Sequence, residues 1–351
     1  MARWMRLGWL MLPLLGACGS GDGGSGSDAQ TAGTTATSLA SATATTPGAS
    51  TPAATTVAAT AATSATPVGF AGQAAALYDV APDPTTCSAG TLKASVKADL
   101  LARLNAIRAL HNLPAVTYST SEDGDEQQSS LMMAVNRQLS HAPPASWTCY
   151  TASGSTGAGA SNLIGGWGNG LAFGSEDDNL AGWLNEGGSN AIGHRRWILD
   201  PFLGQASYGR VAYASANGDH VSTASLRVFG FAGNVAVPGG LPAFVAYPYN
   251  DYPVRYFRAT DYLSFTVVAN TAGTFGTNSG VSFAKATITV TGPSGALAVS
   301  DVASDNEGYG VPNSVEWRVT GLQAGVSYTV TITGITGAPQ SSYTYAFRIV
   351  S

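Results

Sequence analysis

Apolar residues recur at helical spacing in two long segments of the chain. From Ala94 they follow one another every three or four positions with charged residues between them, and this pattern ends near Asn112. The second pattern begins after the acidic cluster at 121–126 and stops at Pro143, because proline cannot continue a helix. The spacing therefore predicts two amphipathic helices, the second of which leads to His141.

A third, shorter helix is predicted from its end signals. Ser175 and Asp178 have the spacing of a capping box, in which each side chain bonds the backbone N–H of the other residue. Apolar residues follow at helical spacing, and Gly187-Gly188 marks the end because glycine suits the left-handed cap position. This helix carries Glu186.

After His194 apolar and polar residues alternate, which is the period of a β-strand. Two such runs, GRVAYAS and HVSTASLRVFGFA, flank Asn217-Gly218, and we predict a hairpin with a two-residue turn. The first folded part of the chain is therefore mixed α and β.

From about Pro238 the pattern is that of strands alone. Short alternating runs are separated by Gly, Asn and Pro turns: DYLSFTVVA, VSFAKATITVTG, SVEWRVTGL, GVSYTVTITGI and SYTYAFRIV. This spacing predicts an all-β, immunoglobulin-like sandwich at residues 239–351. With 351 residues, of which 44% are hydrophobic, the chain has enough sequence for about two hydrophobic cores, so we expect two domains.

The first residues have the composition of an export signal. Two arginines precede an apolar stretch too short to span a membrane, and the segment 1–18 ends in LGAC, which resembles the lipobox of bacterial lipoproteins. That resemblance implies lipidation of Cys18 and attachment to a membrane. Residues 19–69 are rich in Gly, Ser, Thr and Ala and have too little apolar surface to fold, so we interpret them as a disordered tether. The expected location is the bacterial cell envelope.

Composition excludes one class of partner and predicts one covalent link. With 11% charged residues and a formal net charge of -5, the chain lacks the basic surface that binds nucleic acid. Apart from Cys18, the cysteines are Cys87 and Cys149. Because an exported chain is in an oxidising compartment, we predict a disulfide between them.

The chain has four histidines, so any histidine-based site draws on a short list. His111, at the end of the first helix, and His220, beside the Asn-Gly turn, are expected to be solvent-exposed. His141 and His194 lie at the ends of elements, where polar side chains can converge on a cleft, and Glu186 is the nearest carboxylate. Two imidazoles, a carboxylate and water would suit zinc or another divalent metal. The same residues could instead form a structural polar network, since the chain has no HExxH motif.

Two other motifs are interpreted as structural. The glycine-rich run 165–170 lacks the Lys-Ser/Thr of a phosphate loop, and we expect a flexible loop at a cavity rim. Arg195 and Arg196 stand beside Trp197, but two arginines in an acidic chain are more simply explained by salt bridges or helix capping.

Five segments follow one another in an order typical of a known family: LLARLNAIRALHNLPAV, LMMAVNRQLSHAPPASWTCY, GASNLIGG, WLNEGGSNAIGHRRWILDP and SLRVFGFAG. Over about residues 90–235 the chain resembles the CAP superfamily (SCP domain; cysteine-rich secretory proteins, antigen 5 and pathogenesis-related 1), and most of all its bacterial branch. The resemblance implies a three-layer α-β-α sandwich, which we place at residues 85–235, followed by the β-sandwich.

Members of this family typically present two histidines and two acidic residues in a central cavity. The resemblance maps His141 and His194 onto the histidines and Glu186 onto one acidic position. The other acidic position is Ser161, and a full set would need a residue such as Glu176, because a hydroxyl is a poor metal ligand and a poor base. The expected cavity residues are therefore His141, Ser161, Glu186 and His194, with His141 and His194 as metal ligands.

The leading interpretation is a binding or interaction module rather than an enzyme, because members of the family share a fold while differing in activity. The expected ligand is a lipid, a small hydrophobic molecule or an envelope component, and the membrane is contacted through Cys18. Two alternatives stay open: a metal-dependent hydrolase with Glu186 as base, and a structural protein whose β-sandwich binds envelope glycans.

Overall fold

The computed structural model describes residues 69–186, 191–231 and 237–351. The predicted leader, Cys18 and the predicted tether up to residue 68 lie outside the described residues. The helices in the described ranges are α1 (Gly69–Ala75), α2 (Ala94–Leu110), α3 (Asp123–Asn136), α4 (Ala152–Gly159), α5 (Glu176–Asn185) and α6 (Gly193–Ile198). The strands are β1 (Tyr78–Val80), β2 (Thr91–Leu92), β3 (Thr117–Tyr118), β4 (Ser161–Gly168), β5 (Gln205–Ala214), β6 (His220–Arg227), β7 (Phe244–Tyr247), β8 (Asn250–Pro253), β9 (Leu263–Val267), β10 (Thr287–Gly292), β11 (Gly295–Leu297), β12 (Val299–Asp305), β13 (Ser314–Val319), β14 (Ser327–Thr333) and β15 (Ser342–Val350). Among these residues, no helix has the length and apolar character needed to cross a membrane.

The middle layer of the α/β part is a four-stranded sheet in the order β3-β5-β6-β4. β5 and β6 form the predicted antiparallel hairpin. Their connection is longer than the predicted two residues. The Ser215 N–H donates to the Asp219 carbonyl at 2.8 Å, which leaves Asn217-Gly218 inside a three-residue tip.

Helices cover both faces of this sheet. Gly209 on β5 approaches α3 so closely that a Cβ there would lie 2.1 Å from the carbonyl carbon of Glu126. The preceding residue, Tyr208, faces the opposite side, where its hydroxyl accepts a hydrogen bond from Asn179 of α5 at 2.9 Å. Because successive strand residues point to opposite faces, the two contacts place α3 and α5 in different layers. The predicted α-β-α sandwich is confirmed.

The first long helix, α2, has the predicted extent, whereas the second, α3, is shorter than predicted. It begins at Asp123, inside the acidic cluster, which places carboxylates at the positive end of the helix dipole. It ends at Asn136 because Arg137 has a left-handed backbone conformation (φ 48°). His141 therefore lies in the following loop, beyond the end of the helix.

The start of α5 is formed by the predicted capping box. The Ser175 hydroxyl accepts from the Asp178 N–H, and the Asp178 carboxylate accepts from the Ser175 N–H, so the capping box is complete. The helix ends at Asn185, and Glu186 takes the left-handed cap conformation (φ 49°). The predicted terminating pair, Gly187-Gly188, lies outside the described residues.

The glycine-rich run that we interpreted as a loop belongs in large part to a strand. Residues 165–168 form the second half of β4 and pair in register with β6. At Gly165 a Cβ would lie 3.0 Å from the Thr223 side chain and 3.1 Å from Leu139. Glycine is therefore used here for close packing, which the sequence pattern alone does not distinguish from flexibility.

The disulfide between Cys87 and Cys149 is present, with the two Cα atoms 5.2 Å apart. It joins the loop before β2 to the loop between α3 and α4. Helix α3 also binds both loops, since Gln127 donates to the Ala89 carbonyl at 2.8 Å and Gln128 donates to the Cys149 carbonyl at 3.0 Å.

The last part of the chain is a β-sandwich, and each of the five predicted runs contains a strand: β9, β10, β13, β14 and β15. Two sheets are formed, in the orders β11-β10-β14-β15-β8 and β12-β13-β9-β7. On β15 the alternate residues from Tyr343 to Ile349 are buried and those between them are exposed. The short strands β7, β8 and β11 were not predicted, because runs of three or four residues carry little alternation. The seven-residue strand β12 was also not predicted, and its residues do not alternate between buried and exposed.

One continuous hydrophobic core includes residues of both sandwiches, and the described residues belong to a single compact unit. His111 lies where the two parts meet, and our expectation that it is solvent-exposed is wrong. It is 2% exposed, its Nδ1 donates to the Ala246 carbonyl at 2.8 Å, and its Nε2 accepts from the Tyr252 hydroxyl at 2.9 Å. Burial lowers the pKa of His111 to about 3, so the ring is neutral. The β-sandwich covers the end of α2, and this contact between distant parts of the chain cannot be read from the local sequence.

Candidate functional site

Glu186 is held in place by its backbone and by one oxygen of its carboxylate. Its left-handed conformation closes α5. Oε1 accepts a hydrogen bond from the Arg195 N–H at 2.9 Å, and the side chain is 5% exposed. The carboxylate thereby satisfies a backbone donor in the first turn of α6.

His194 lies in the first turn of α6, next to this carboxylate. Its Nδ1 is 3.5 Å from Glu186 Oε2, an ion-pair distance when the imidazole is protonated. The Asn162 side chain, on β4, donates to the His194 carbonyl at 2.9 Å. His194 is therefore positioned both by α6, to which it belongs, and by a hydrogen bond from β4.

His141 reaches the same region from the loop after α3. Its Nδ1 lies 2.9 Å from the carbonyl of Ala158, near the end of α4. Partial removal from water lowers the pKa of His141, the Ala158 carbonyl opposes this change, and the neighbouring His194 lowers the pKa further. The ring of His141 is therefore neutral near pH 7.

The structure thus brings together three of the predicted cavity residues, His141, Glu186 and His194. Each imidazole has an acceptor beside Nδ1: the Ala158 carbonyl for His141 and the Glu186 carboxylate for His194. These acceptors favour a proton on Nδ1, so the lone pair is on Nε2 in the neutral rings. A carbonyl or carboxylate behind a histidine is the usual support of a metal-binding imidazole.

Comparison with known proteins identifies the family of the part of the chain that carries these three residues. Residues 101–223 match the sequence profile of CAP, described as the cysteine-rich secretory protein family. These residues form a CAP domain. The CAP match includes His141, Glu186 and His194, whereas the β-sandwich lies outside it. A search of curated proteins finds no match.

Two solved bacterial structures are similar to part of this chain. An outer surface protein from Borrelia burgdorferi is 10% identical with a TM-score of 0.25, and the match covers 38% of this chain and 92% of that one. An extracellular protein containing a SCP domain from Bacillus anthracis is 20% identical with a TM-score of 0.24, and the match covers 38% of this chain and 40% of that one. At these scores the CAP assignment depends on the family match.

Ser161, the fourth predicted cavity residue, faces α3. Its hydroxyl donates to Glu126 Oε2 at 2.6 Å, and both residues are buried. Its neighbour Asn162 points to the other face of β4, toward His194, because successive strand residues alternate. In this CAP domain Ser161 is therefore part of a buried polar network, and Glu176 does not replace it, since Glu176 pairs with Arg210 at 2.5 Å.

Glu126 is a fully buried acid that the sequence pattern did not indicate. Besides Ser161, the Ser225 hydroxyl donates to its carboxylate, and Arg227 Nη1 lies 3.4 Å from Oε1. Burial raises the pKa of Glu126 to about 7, against the lowering effect of these three partners. In the sequence Glu126 appears as one of several acids at a helix start, and nothing local marks it as buried.

His220 and the two arginines are structural. His220, which we expected to be exposed, is half-buried: its ring stacks on Phe70 with centroids 4.1 Å apart, and Nδ1 donates to the Leu171 carbonyl at 2.6 Å. Arg196 forms a salt bridge with Asp305 at 2.7 Å, which confirms that this arginine pairs with an acid of the chain.

In the described ranges, no set of three or more His, Cys, Asp or Glu side chains is placed to hold a metal ion. A metal bound by His141 and His194 would therefore have no third His, Cys, Asp or Glu ligand among the described residues.

Proposed function

We propose that this chain is a lipid-anchored envelope protein whose CAP domain binds a ligand through a divalent metal held by His141 and His194. The observation that supports this proposal is the acceptor beside Nδ1 of each imidazole, because it favours Nε2 as the ligand nitrogen on both rings. Zinc suits two imidazoles, and it would supply Lewis acidity and open positions for a ligand.

Glu186 is proposed to support His194 rather than to bind the metal or act as a base. Its Oε1 is engaged by the Arg195 N–H, its Oε2 faces His194 Nδ1, and the side chain is almost fully buried. A general base must reach the proton that it removes, directly or through one water. In the hydrolase alternative the second acidic position is occupied by Ser161, whose hydroxyl faces α3. The geometry therefore favours binding over hydrolysis.

Zinc binding is the direct test of this proposal. The full chain, purified in detergent, is expected to bind one equivalent of zinc at pH 7 by isothermal titration calorimetry. The double variant H141A/H194A is expected to lose this binding, and E186Q to weaken it about 10- to 100-fold, the usual effect of removing a supporting acceptor. Because zinc displaces the proton of an imidazole, affinity falls on acidification. Because its pKa is lowered, His141 should continue to bind zinc at a more acidic pH than an ordinary histidine would.

The matched control is H220A, which removes a histidine at the start of β6 that stacks on Phe70. It should bind zinc like the parent chain. Absence of bound zinc, together with no thermal shift on adding zinc, would rule out the metal-dependent part of the proposal. Equal zinc binding by H141A/H194A and the parent chain would place the metal elsewhere.

The membrane anchor is tested separately, because it depends on Cys18 alone. Mass spectrometry of the N-terminal peptide from cells is expected to show an acylated Cys18 as the first residue, as the LGAC motif implies. In the variant C18S the protein should move from the membrane fraction to the soluble fraction, because the acyl chains provide the membrane affinity. An unmodified N-terminus at another residue would refute the anchor and leave the zinc proposal unaffected.

A further inference from the structure

An aromatic pair borders the two-histidine site. Trp197 on α6 and Phe229, just after β6, stack with ring centroids 4.6 Å apart and an interplanar angle of 26°. Phe229 nevertheless keeps 40% of its surface exposed. The ring is therefore held on one side by Trp197 and has a free side that a ligand can pack against.

Two connections place this pair beside the histidines. His194 and Trp197 are three residues apart on α6, so they share one side of that helix. Val228, next to Phe229, donates its N–H to the Ala160 carbonyl at 3.1 Å, and the nearby Ala158 carbonyl is the partner of His141. The segment 158–160 therefore binds both His141 and the residue that precedes Phe229.

The charges around the pair favour a neutral ligand. Arg196 is paired with Asp305, and Arg227 lies beside Glu126 and donates to the Gly230 carbonyl. Arg195 donates to the carbonyls of two residues, at 2.8 and 2.7 Å. Each nearby guanidinium is thus engaged within the protein, and the chain carries a net charge of -5. An anionic ligand would therefore find a cation here only in the proposed metal, whereas a neutral ligand needs none.

The surface combines an exposed aromatic face with imidazole nitrogens. A sugar ring matches this combination, because the C–H groups of one face can pack on an aromatic ring while its hydroxyl groups donate and accept hydrogen bonds. A lipid chain would need an apolar enclosure. The pocket of about 200 Å³ lined by residues including His111 and Tyr249 lies at the junction with the β-sandwich, away from this pair.

We infer that the CAP domain binds a neutral polysaccharide of the envelope on this surface, with a sugar ring packed against Phe229. The inference rests on the proposed function in that it names the ligand class of the same site. Phe229 is a binding residue in this scheme, and Trp197 holds its ring in position. The histidine pair, with or without metal, contacts the hydroxyl groups of the sugar.

The experiment measures binding of neutral tetrasaccharides of N-acetylglucosamine, glucose and mannose to the full chain by calorimetry. At least one is expected to bind, and F229A to bind it about tenfold more weakly, because stacking and apolar contact are lost together. F229Y should retain most of the affinity because it keeps a ring. V302A, which shortens another exposed apolar side chain (53% exposed) on β12, should behave like the parent chain.

The outcomes separate this inference from the metal proposal. If F229A loses sugar binding but binds zinc normally, the sugar surface is supported, and it remains supported if no form of the protein binds zinc. Equal sugar binding by F229A and the parent chain, or no binding of any of the three tetrasaccharides, would overturn the inference. Tighter binding of a hyaluronan tetrasaccharide, which is anionic, would overturn the assignment of a neutral sugar. The same holds if the C18S variant binds phosphatidylcholine vesicles and the double variant C18S/F229A does not.

Discussion

Replacing Arg195 with alanine is expected to lower the free energy of unfolding by about 4 kcal/mol. Arg195 is 1% exposed, and it joins the CAP domain to the β-sandwich. Its Nε donates to the Leu184 carbonyl at 2.8 Å, and its Nη1 donates to the Tyr262 carbonyl at 2.7 Å. The guanidinium carbon lies 3.9 Å from the ring centroid of Tyr247.

The size of this effect follows from what the alanine variant leaves behind. Two carbonyls inside the protein lose their donor, at about 1–3 kcal/mol each. The buried contact with the Tyr247 ring contributes about 2 kcal/mol more in a desolvated setting. The variant should also weaken zinc binding. It keeps the N–H that Glu186 accepts, but it removes the side chain that anchors α6, the helix that carries this N–H and His194.

The adjacent arginine is the matched control. Arg196 binds Asp305 through two hydrogen bonds, at 2.7 and 2.8 Å, and that carboxylate is 35% exposed. Because water reaches this pair, R196A should lower stability by about 1–2 kcal/mol, less than R195A, in urea denaturation monitored by circular dichroism. Equal losses for R195A and R196A would contradict the proposed role of the buried guanidinium.

The second large effect is expected from removing the disulfide. Its cysteines are 62 residues apart, and closing a loop of this length stabilises a folded chain by about 4 kcal/mol through the lost freedom of the unfolded state. The double variant C87S/C149S is expected to unfold at a correspondingly lower urea concentration. The native sheet should persist, because Gln127 and Gln128 still bind the two loops to α3.

Chemical reduction provides the control for this variant. The reduced parent chain should unfold at nearly the same urea concentration as C87S/C149S, and the reductant should not change the variant. If the variant were as stable as the oxidised parent chain, the disulfide would have no net effect on folding. If it failed to fold at all, the reduced parent chain would still report the size of the effect.

Local patterns were sufficient to predict the elements and the fold class. The capping box at Ser175 and the alternation that runs through β5, β6 and the five main strands of the β-sandwich depend on neighbouring residues alone. The order of motifs then indicated the CAP fold and identified His141, Glu186 and His194 as a group. The end of α3 was less predictable, because Arg137 takes a left-handed conformation that its side chain does not signal.

Tertiary structure alone decided which polar side chains are buried and what they face. His111 is neutral because the β-sandwich covers it, and Glu126 is buried because Gly209 lets α3 lie directly on the sheet. Ser161 and Asn162 are neighbours in sequence but face opposite layers. A local pattern records which residues are polar, whereas burial depends on elements far apart in the chain, and the electrostatics of the histidine site follow from that burial.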